Sequence, residues 1–397
     1  VLIIPNLFLF VTEEMSLVAK ICNVILPLSC YWFLMSFSKK SGKILWLFFP
    51  FIFFGAFQLV LLYLFGESII AVDMFLNLTT TNSNEAFELL DNLWPALIGV
   101  FLLYIPTLVL GLFSILNKNV LTLSFLYRQR KYSLVSLFIG LVFLLLAYKT
   151  DPDYQAKIDL YPLNVCYNVY LAMERNDRVK HYLKTSEGFT FEAKSEHGEQ
   201  EKEIYIFVIG ETSRALNWGL YGYERNTTPI LEQIPGVITF KDVITQSNTT
   251  HKSVPILLSA ASAENFDCIY RQKGMITAFK EAGFYTVFFS NQRYNNSFID
   301  FFGKEADEWD FIKEDSLENK YNPSDDELLE RIRKVLDKDY SKLFIVLHTY
   351  GSHFNYKERY PLSTAEYKPD NAIAAEYKYR EELVNAYDNT IRYTDYF

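Results

Sequence analysis

The sequence predicts two folds in series: an α-helical transmembrane bundle, then an α/β domain with a largely parallel sheet. Three observations carry that prediction. Of the 397 residues, 50% are hydrophobic and 17% aromatic, yet the apolar ones crowd ahead of about residue 150 and the charges follow it. The first 150 residues hold four long, nearly uncharged segments. From residue 203 on, strand-like and helix-like stretches alternate, which is the pattern of an α/β sheet. The length suits two domains or more. A net charge of −9 without a basic stripe argues against nucleic acid as a partner.

A helix that crosses a bilayer needs about 20 mostly apolar residues. Residues 16–37, 43–65, 94–116 and 132–148 meet that length, and 1–11 (VLIIPNLFLFV) read as the tail of a further span, about five in all. Lys39, Lys40 and Lys43 follow one span, and Lys118, Arg128, Arg130 and Lys131 follow another. The intervening loops carry Glu13, Glu14, Glu67, Asp73, Glu85, Glu88 and Asp91. The excess of Lys and Arg marks the cytoplasmic side, which puts the loop 66–93 and everything after 149 outside. In that loop Val72, Phe75, Leu76, Phe87 and Leu90 are spaced as on amphipathic helices lying at the interface. Asn77, Thr81 and Glu85 recur every four residues and share one face of a continuing helix. By pattern alone that face is a solvated one with a cap. The expected division is a transmembrane domain over 1–149, a polar connector over 150–202 and an outer domain over 203–397.

In the outer domain the spacing predicts strands at 203–210, 237–243, 284–290 and 342–348, with helices at 250–262, 274–282, 324–338 and 372–395. The run Ile206–Ile209 reads as a fully buried strand that breaks at Gly210 and delivers Glu211 just past its end. Carboxyl ends of strands are where open α/β sheets bind ligands. The stretch SNTTHKSVP then reads as a loop entering a helix, with Thr249 and Thr250 at its start. A hydroxyl there sits at the positive end of the helix dipole, beside N–H groups that bind anions. Either threonine also suits an N-cap, and the pattern does not separate them.

A strand-end carboxylate and a helix-start threonine together make a metal-assisted phosphoryl-transfer site. A metal on Glu211 would help remove the threonine proton and screen the charge of an incoming phosphate. The strand at 342–348 ends in HTYGSH, which brings His348 and His353 to the same sheet edge as metal or phosphate ligands. Nothing matches a P-loop, a Rossmann glycine fingerprint or a serine elbow. Cys22, Cys30, Cys166 and Cys268 form no Cys-x-x-Cys pair and read as isolated thiols.

The motifs GETSRALNWGLYGYERNTTP, NTTHKSVP and LHTYGSHFNYKERYP, with DMFLNLTTTNSNEAFELL before them and YDNTIRYTDYF after, closely resemble the lipid A phosphoethanolamine transferases. That group includes the mobile colistin-resistance enzymes. The resemblance implies a sulfatase-like (alkaline-phosphatase-like) outer domain on the transmembrane bundle. It also implies a multi-pass protein of the bacterial inner membrane with its catalytic domain in the periplasm. The implied cofactor is Zn2+, the donor phosphatidylethanolamine and the acceptor lipid A or core lipopolysaccharide, with a phospho-threonine intermediate.

By the same resemblance Glu211 is the zinc-binding glutamate. Thr250, five residues before Pro255, is the zinc-liganding nucleophile, which selects it over Thr249. His353 binds the substrate phosphate or a second zinc, and His348 is the strand-end histidine of the same motif. Asn77, Thr81 and Glu85 then face the lipid or ethanolamine site in place of solvent.

The sequence departs from the family in three respects. Gln246 and Ile256 occupy the positions of a disulfide that often brackets the nucleophile loop. A substrate-binding lysine of some members falls near Ser297, which leaves that role to Arg293. The Asp-His-Gly-Glu strand end that supplies two more zinc ligands is absent, and the motif order would place it after Phe397. Val1 lies in an apolar run and Phe397 in a helical pattern, so the sequence reads as a fragment cut at both ends. With two zinc donors it is expected to bind zinc poorly and to be inactive by itself. The rival readings are a glycerol-phosphate transferase or phosphodiesterase of the same superfamily, and an inactive lipid-binding membrane protein.

Overall fold

The computed structural model of the chain describes residues 1–65, 93–118, 120–198, 201–313, 324–372 and 377–397. They divide into two compact units, Val1–Asn176 and Asp177–Phe397. Asn77, Thr81 and Glu85 lie outside the described residues.

The first unit is helical, with α1 (Ile4–Thr12), α2 (Leu17–Met35), α3 (Ser41–Leu47), α4 (Phe49–Phe65), α5 (Trp94–Leu116), α6 (Leu123–Thr150) and α7 (Ala156–Asp159). Helix α8 (Leu163–Thr185) begins here and runs into the second unit. Among the described residues α2, α5 and α6 are long and apolar enough to cross a membrane. The expected span 43–65 is instead a pair, α3 and α4, bent by 58°. Pro50 sits in the first turn of α4, where it has no N–H to give and its ring crowds the preceding turn. Helix α1 has nine residues, and among the described residues three helices have membrane-crossing length, or four with the bent pair, where about five spans were expected.

Helix α6 starts at Leu123, so Arg128, Arg130 and Lys131 stand on it and not in a loop. Arg130 donates to the Ser36 carbonyl at the end of α2 (3.2 Å), and Lys40 donates to the Ile115 carbonyl in the last turn of α5 (2.6 Å). Both cations thus sit at helix C-termini, where the dipole favours them. Small residues set the close crossings. A Cβ on Gly140 would lie 3.0 Å from Leu26 Cα, and one on Gly42 would collide with the Gly111 carbonyl. Within the stretch 150–202, α8 occupies 23 residues.

In the second unit, four strands form one parallel sheet: β1 (Glu203–Ile209), β2 (Tyr285–Ser290), β3 (Glu308–Phe311) and β4 (Lys342–His348), in the order β1-β4-β2-β3. Helices α9 (Thr250–Leu257), α10 (Met275–Glu281), α11 (Phe298–Gly303), α12 (Asp326–Leu336) and α13 (Arg380–Tyr396) surround it. Alternation along the strands separates two cores. Phe288, Phe344 and Val346 pack with Val254, Ile256, Ile276 and Phe302 on one face. Val287, Phe289, Leu343, Ile345 and Leu347 meet Leu328, Ile332 and Val335 of α12 on the other.

Two expectations need correction, and one strand was not expected. Strand β1 is an edge strand, with Ile204, Ile206 and Val208 at 40%, 50% and 48% exposure, so only Ile209 of the run is buried. An unbroken apolar run signals a strand but not how many neighbours it has. Residues 237–243 form no strand, and Ile238, Phe240 and Val243 stand out in solvent instead of pairing. Strand β3 (EWDF) escapes sequence reading because its four half-exposed residues include two acids, and its pairing with β2 alone defines it.

Central and edge strands should respond differently to truncation. Ile345→Ala, at 0% exposure in β4, should cost about 3 kcal/mol, whereas Ile206→Ala in β1 should cost about 1 kcal/mol or less in denaturant unfolding of the chain. Equal losses would mean that β1 is buried after all.

Candidate active site

Parallel pairing aligns Ile209 of β1 and Ser290 of β2 with His348 of β4, so three strand ends finish side by side. The carboxyl edge of the sheet therefore carries the polar groups. His348 is fully buried, and its Nδ1 lies 3.2 Å from Ser290 Oγ. Its Nε2 has no hydrogen-bond partner and lies 3.7 Å from Glu211 Oε2. Thr250, the first residue of α9, donates its hydroxyl to Glu211 Oε1 at 2.7 Å. Glu211, His348 and Thr250 are thus brought together from three separate stretches of chain.

Glu211 follows a strand end through Gly210, and its side chain is 11% exposed. Burial pushes its carboxyl up, but His348, the Thr250 hydroxyl and His353 outweigh that and hold it below the ordinary glutamate range. The turn around it is tightly built. Thr212 adopts the left-handed region at φ 53°, unusual for a residue with a branched Cβ. Gly351 does the same at φ 55°, and a Cβ there would meet the Glu211 carbonyl oxygen at 2.7 Å. Ser352 N–H donates to that carbonyl at 3.0 Å, which laces the loop after β4 to the loop after β1.

Neighbouring carboxylates hold the loops. Asp325, 7% exposed, accepts the N–H groups of Tyr350 (2.8 Å) and Gly351 (3.0 Å) and the Asn291 amide (2.8 Å). His353 stacks on Tyr350, with ring centroids 5.1 Å apart, and its Nδ1 lies 2.7 Å from the Phe354 carbonyl oxygen. His353 is therefore on the loop beside the site, and it acts on Glu211 electrostatically. On α13, Asp388 gathers Arg225 Nη1 (2.9 Å), Tyr223 Oη (2.9 Å) and Asn217 Nδ2 (2.8 Å) at zero exposure.

Among the described residues no three His, Cys, Asp or Glu side chains cluster as metal ligands. The donors at hand are the Glu211 carboxylate, the Thr250 hydroxyl and His348 Nε2. A carboxylate, a hydroxyl and a buried imidazole nitrogen that makes no hydrogen bond are a set that suits zinc. Where the resemblance placed a disulfide, Gln246 Oε1 accepts from Ala263 N–H at 2.8 Å and ties that loop by a hydrogen bond, and all four cysteines are free. Ser297 caps α11, with Asp300 accepting its N–H at 3.2 Å, so that position serves the fold. Ser290, Asp325 and Tyr387 were not singled out by sequence reasoning. Asp325 stands at the N-cap of α12, where an acid is commonplace, and Tyr387 belongs to a motif that carried no assigned role.

Residues 203–397 match the family described as Sulfatase. They form a sulfatase-like domain. The chain is 30% identical over 224 residues to a Kdo(2)-lipid A phosphoethanolamine 7''-transferase of Escherichia coli (strain K12), 54% of this chain and 38% of that one. It thus spans well under two thirds of that relative's length. The integral membrane protein lipooligosaccharide phosphoethanolamine transferase A (EptA) from Neisseria meningitidis shares the fold, with a TM-score of 0.62. That match is 24% identical and covers 83% of this chain and 62% of EptA. The C-terminal periplasmic domain of EptC from Escherichia coli, solved as a complex with Zn, is 27% identical, covers 51% and 59% and has a TM-score of 0.46. The architecture is therefore the expected one, apolar membrane-length helices followed by a sulfatase-like α/β domain.

The sulfatase domain's loop after β4 depends on Asp325. Asp325→Asn puts an amide where a carboxylate oxygen accepts an N–H, and should cost about 2 kcal/mol and speed exchange of the Tyr350 and Gly351 amides. Unchanged exchange at both would mean that Asp325 does not hold the loop.

Proposed function

We propose that this protein transfers phosphoethanolamine from phosphatidylethanolamine to a lipid A or core lipopolysaccharide acceptor, with Thr250 as the nucleophile. The observation that carries the reading is the 2.7 Å hydrogen bond from Thr250 Oγ1 to Glu211 Oε1 at the carboxyl edge of the sheet. It is supported by the similarity to a lipid A phosphoethanolamine transferase and by helices of membrane-spanning length, since both proposed substrates are lipids with interfacial head groups. The setting proposed is the bacterial inner membrane, with the sulfatase domain in the periplasm.

Glu211 and Thr250 are proposed to hold zinc, and His348 Nε2 stands beside them as a further donor. Bound there, zinc supplies Lewis acidity that favours the ionised threonine oxygen and offsets phosphate charge. Thr250 Oγ1 forms the bond to the donor phosphorus while the bond from phosphorus to the diacylglycerol oxygen breaks, and diacylglycerol leaves. An acceptor phosphate or sugar hydroxyl then takes the group from the phospho-threonine. Glu211 keeps the Thr250 hydroxyl oriented, His353 binds the phosphate oxygens, and His348 joins it there only where its Nε2 does not hold zinc. A phosphate that gains an ethanolamine carries less net negative charge, which weakens its attraction for cationic peptides.

The test is mass spectrometry of the chain incubated with phosphatidylethanolamine vesicles and Zn2+. Two donors predicted an inactive chain, but His348 Nε2 beside Glu211 offers a third, and on that basis a phosphoethanolamine adduct on Thr250, absent from Thr250→Ala, is the expected result. An adduct that persists in Thr250→Ala would overturn the nucleophile, and no adduct on the unaltered chain would favour lipid binding without transfer. Phosphatidylglycerol vesicles in parallel distinguish a glycerol-phosphate donor.

A further inference from the structure

The carboxylate at the heart of the site rides on a turn that is costly to make. Gly210 ends the strand region, Glu211 follows, and Thr212 then takes a left-handed conformation that its branched side chain disfavours. Backbone strain of this kind persists only where surrounding contacts over-determine it. The loop after β4 supplies one of them, through Ser352 N–H on the Glu211 carbonyl. On the other side the turn meets a single side chain from α13, 175 residues away in sequence. The Tyr387 hydroxyl donates to the Thr212 carbonyl at 2.8 Å and accepts from Arg214 N–H at 2.7 Å. One hydroxyl thus fills both hydrogen-bonding needs of the turn, on the residues that flank Ser213.

Tyr387 is itself held in place. Its ring meets Tyr356 edge to face, with centroids 5.1 Å apart. Its neighbour Asp388, buried, binds Asn217, Tyr223 and Arg225 from the continuation of the same loop. One turn further on, Thr390 Oγ1 bonds Ser352 Oγ at 2.7 Å, so the same helix face also reaches the residue that grips Glu211 from behind. A hydroxyl whose ring is packed, on a helix tied to the same loop by a buried carboxylate, is a rigid anchor, and anchors of that kind give a site its sub-ångström geometry.

We propose that Tyr387 is a positioning residue: its hydroxyl clamps the 212–214 turn and so fixes the Glu211 carboxylate against Thr250. The assignment rests on the reading of Glu211 and Thr250 as the phosphoryl-transfer centre. Tyr387 touches neither substrate nor metal in this role. It acts through the backbone, and a misplacement of about 1 Å at a reacting group can lower a rate by up to about 100-fold.

Tyr387→Phe keeps the ring and removes only the hydroxyl. Site-resolved hydrogen exchange on the full chain should show the Arg214 amide exchanging about 5- to 10-fold faster, the loss of one hydrogen bond. The Ser352 amide, which bonds the Glu211 carbonyl, should speed up as well, while the amides of β4 stay unchanged. Phosphoethanolamine adduct formation on Thr250 should fall about 10-fold in kcat with little change in KM. Unchanged Arg214 exchange would overturn the clamp. Faster Arg214 with unchanged Ser352 exchange would show that the clamp stops short of Glu211, and would overturn the positioning role. Faster exchange at both with unaltered kcat would do the same. An unaltered chain that forms no adduct sinks the transferase reading, and the two amides then decide by themselves whether Tyr387 fixes Glu211.

Discussion

The site depends on keeping one carboxylate charged out of water. Glu211 is almost covered, and desolvation alone would drive it toward the neutral acid. What reverses that is proximity to His348, the Thr250 hydroxyl and the charge of His353, three groups from two other stretches of chain. The energy at stake explains the construction around it. A buried charge without partners costs several kcal/mol, so the loops that bring partners are fastened at many points. Thr349 bonds the Ile209 carbonyl through both its N–H and its hydroxyl, Ser352 bonds the Glu211 carbonyl, and Asp325 accepts from the residues between.

Two kinds of support divide this work. The sheet supplies registry. His348 lies opposite Ile209 on one side and Ser290 on the other because parallel pairing allows no other alignment once the cores on its two faces are packed. Helix α13 supplies the lateral hold, through residues that face the segment between β1 and α9. Asp395 accepts from Ile230 and Leu231 N–H groups, and Asp388 collects three side chains, so acids along one helix fix a long stretch that has almost no regular structure. Irregular backbone can carry a precise site only when its polar groups are satisfied by something rigid.

What could be read in the sequence follows from the same division. Strand ends announce themselves, because an apolar run that breaks at glycine before a carboxylate is a local signal, and Glu211 and His348 were legible on that basis. Thr250 was visible as one of two threonines, and only the resemblance chose between them. The environment of β1 was not legible. The run Ile206–Ile209 looks the same whether it has one neighbour or two, and only pairing decides. Residues 237–243 carry strand-forming side chains that stay exposed because no strand edge takes them up. The break at Phe48 depends on Pro50 within a run that is otherwise uniformly apolar. Tyr387 was hidden for a different reason: its partners are backbone groups far away in sequence, which leave no pattern in neighbouring residues.

The depressed carboxyl of Glu211 also limits what it can do. A base works best when its pKa lies near the operating pH, and one held below the usual glutamate range has little appetite for a threonine proton. The 2.7 Å hydrogen bond therefore aligns the hydroxyl without activating it. Under the proposed function the activation has to come from a Lewis acid that competes for the hydroxyl oxygen or from a second base. His348 Nε2, buried, free of hydrogen bonds and 3.7 Å from Glu211 Oε2, stands where either arrangement would use it: as a further ligand, or as the acceptor of a proton. Both uses require the Glu211 carboxylate to keep its place while the proton moves. Strain at Thr212, a glycine that admits no Cβ at 351 and a tyrosine clamp from α13 are the means by which this fold holds it there.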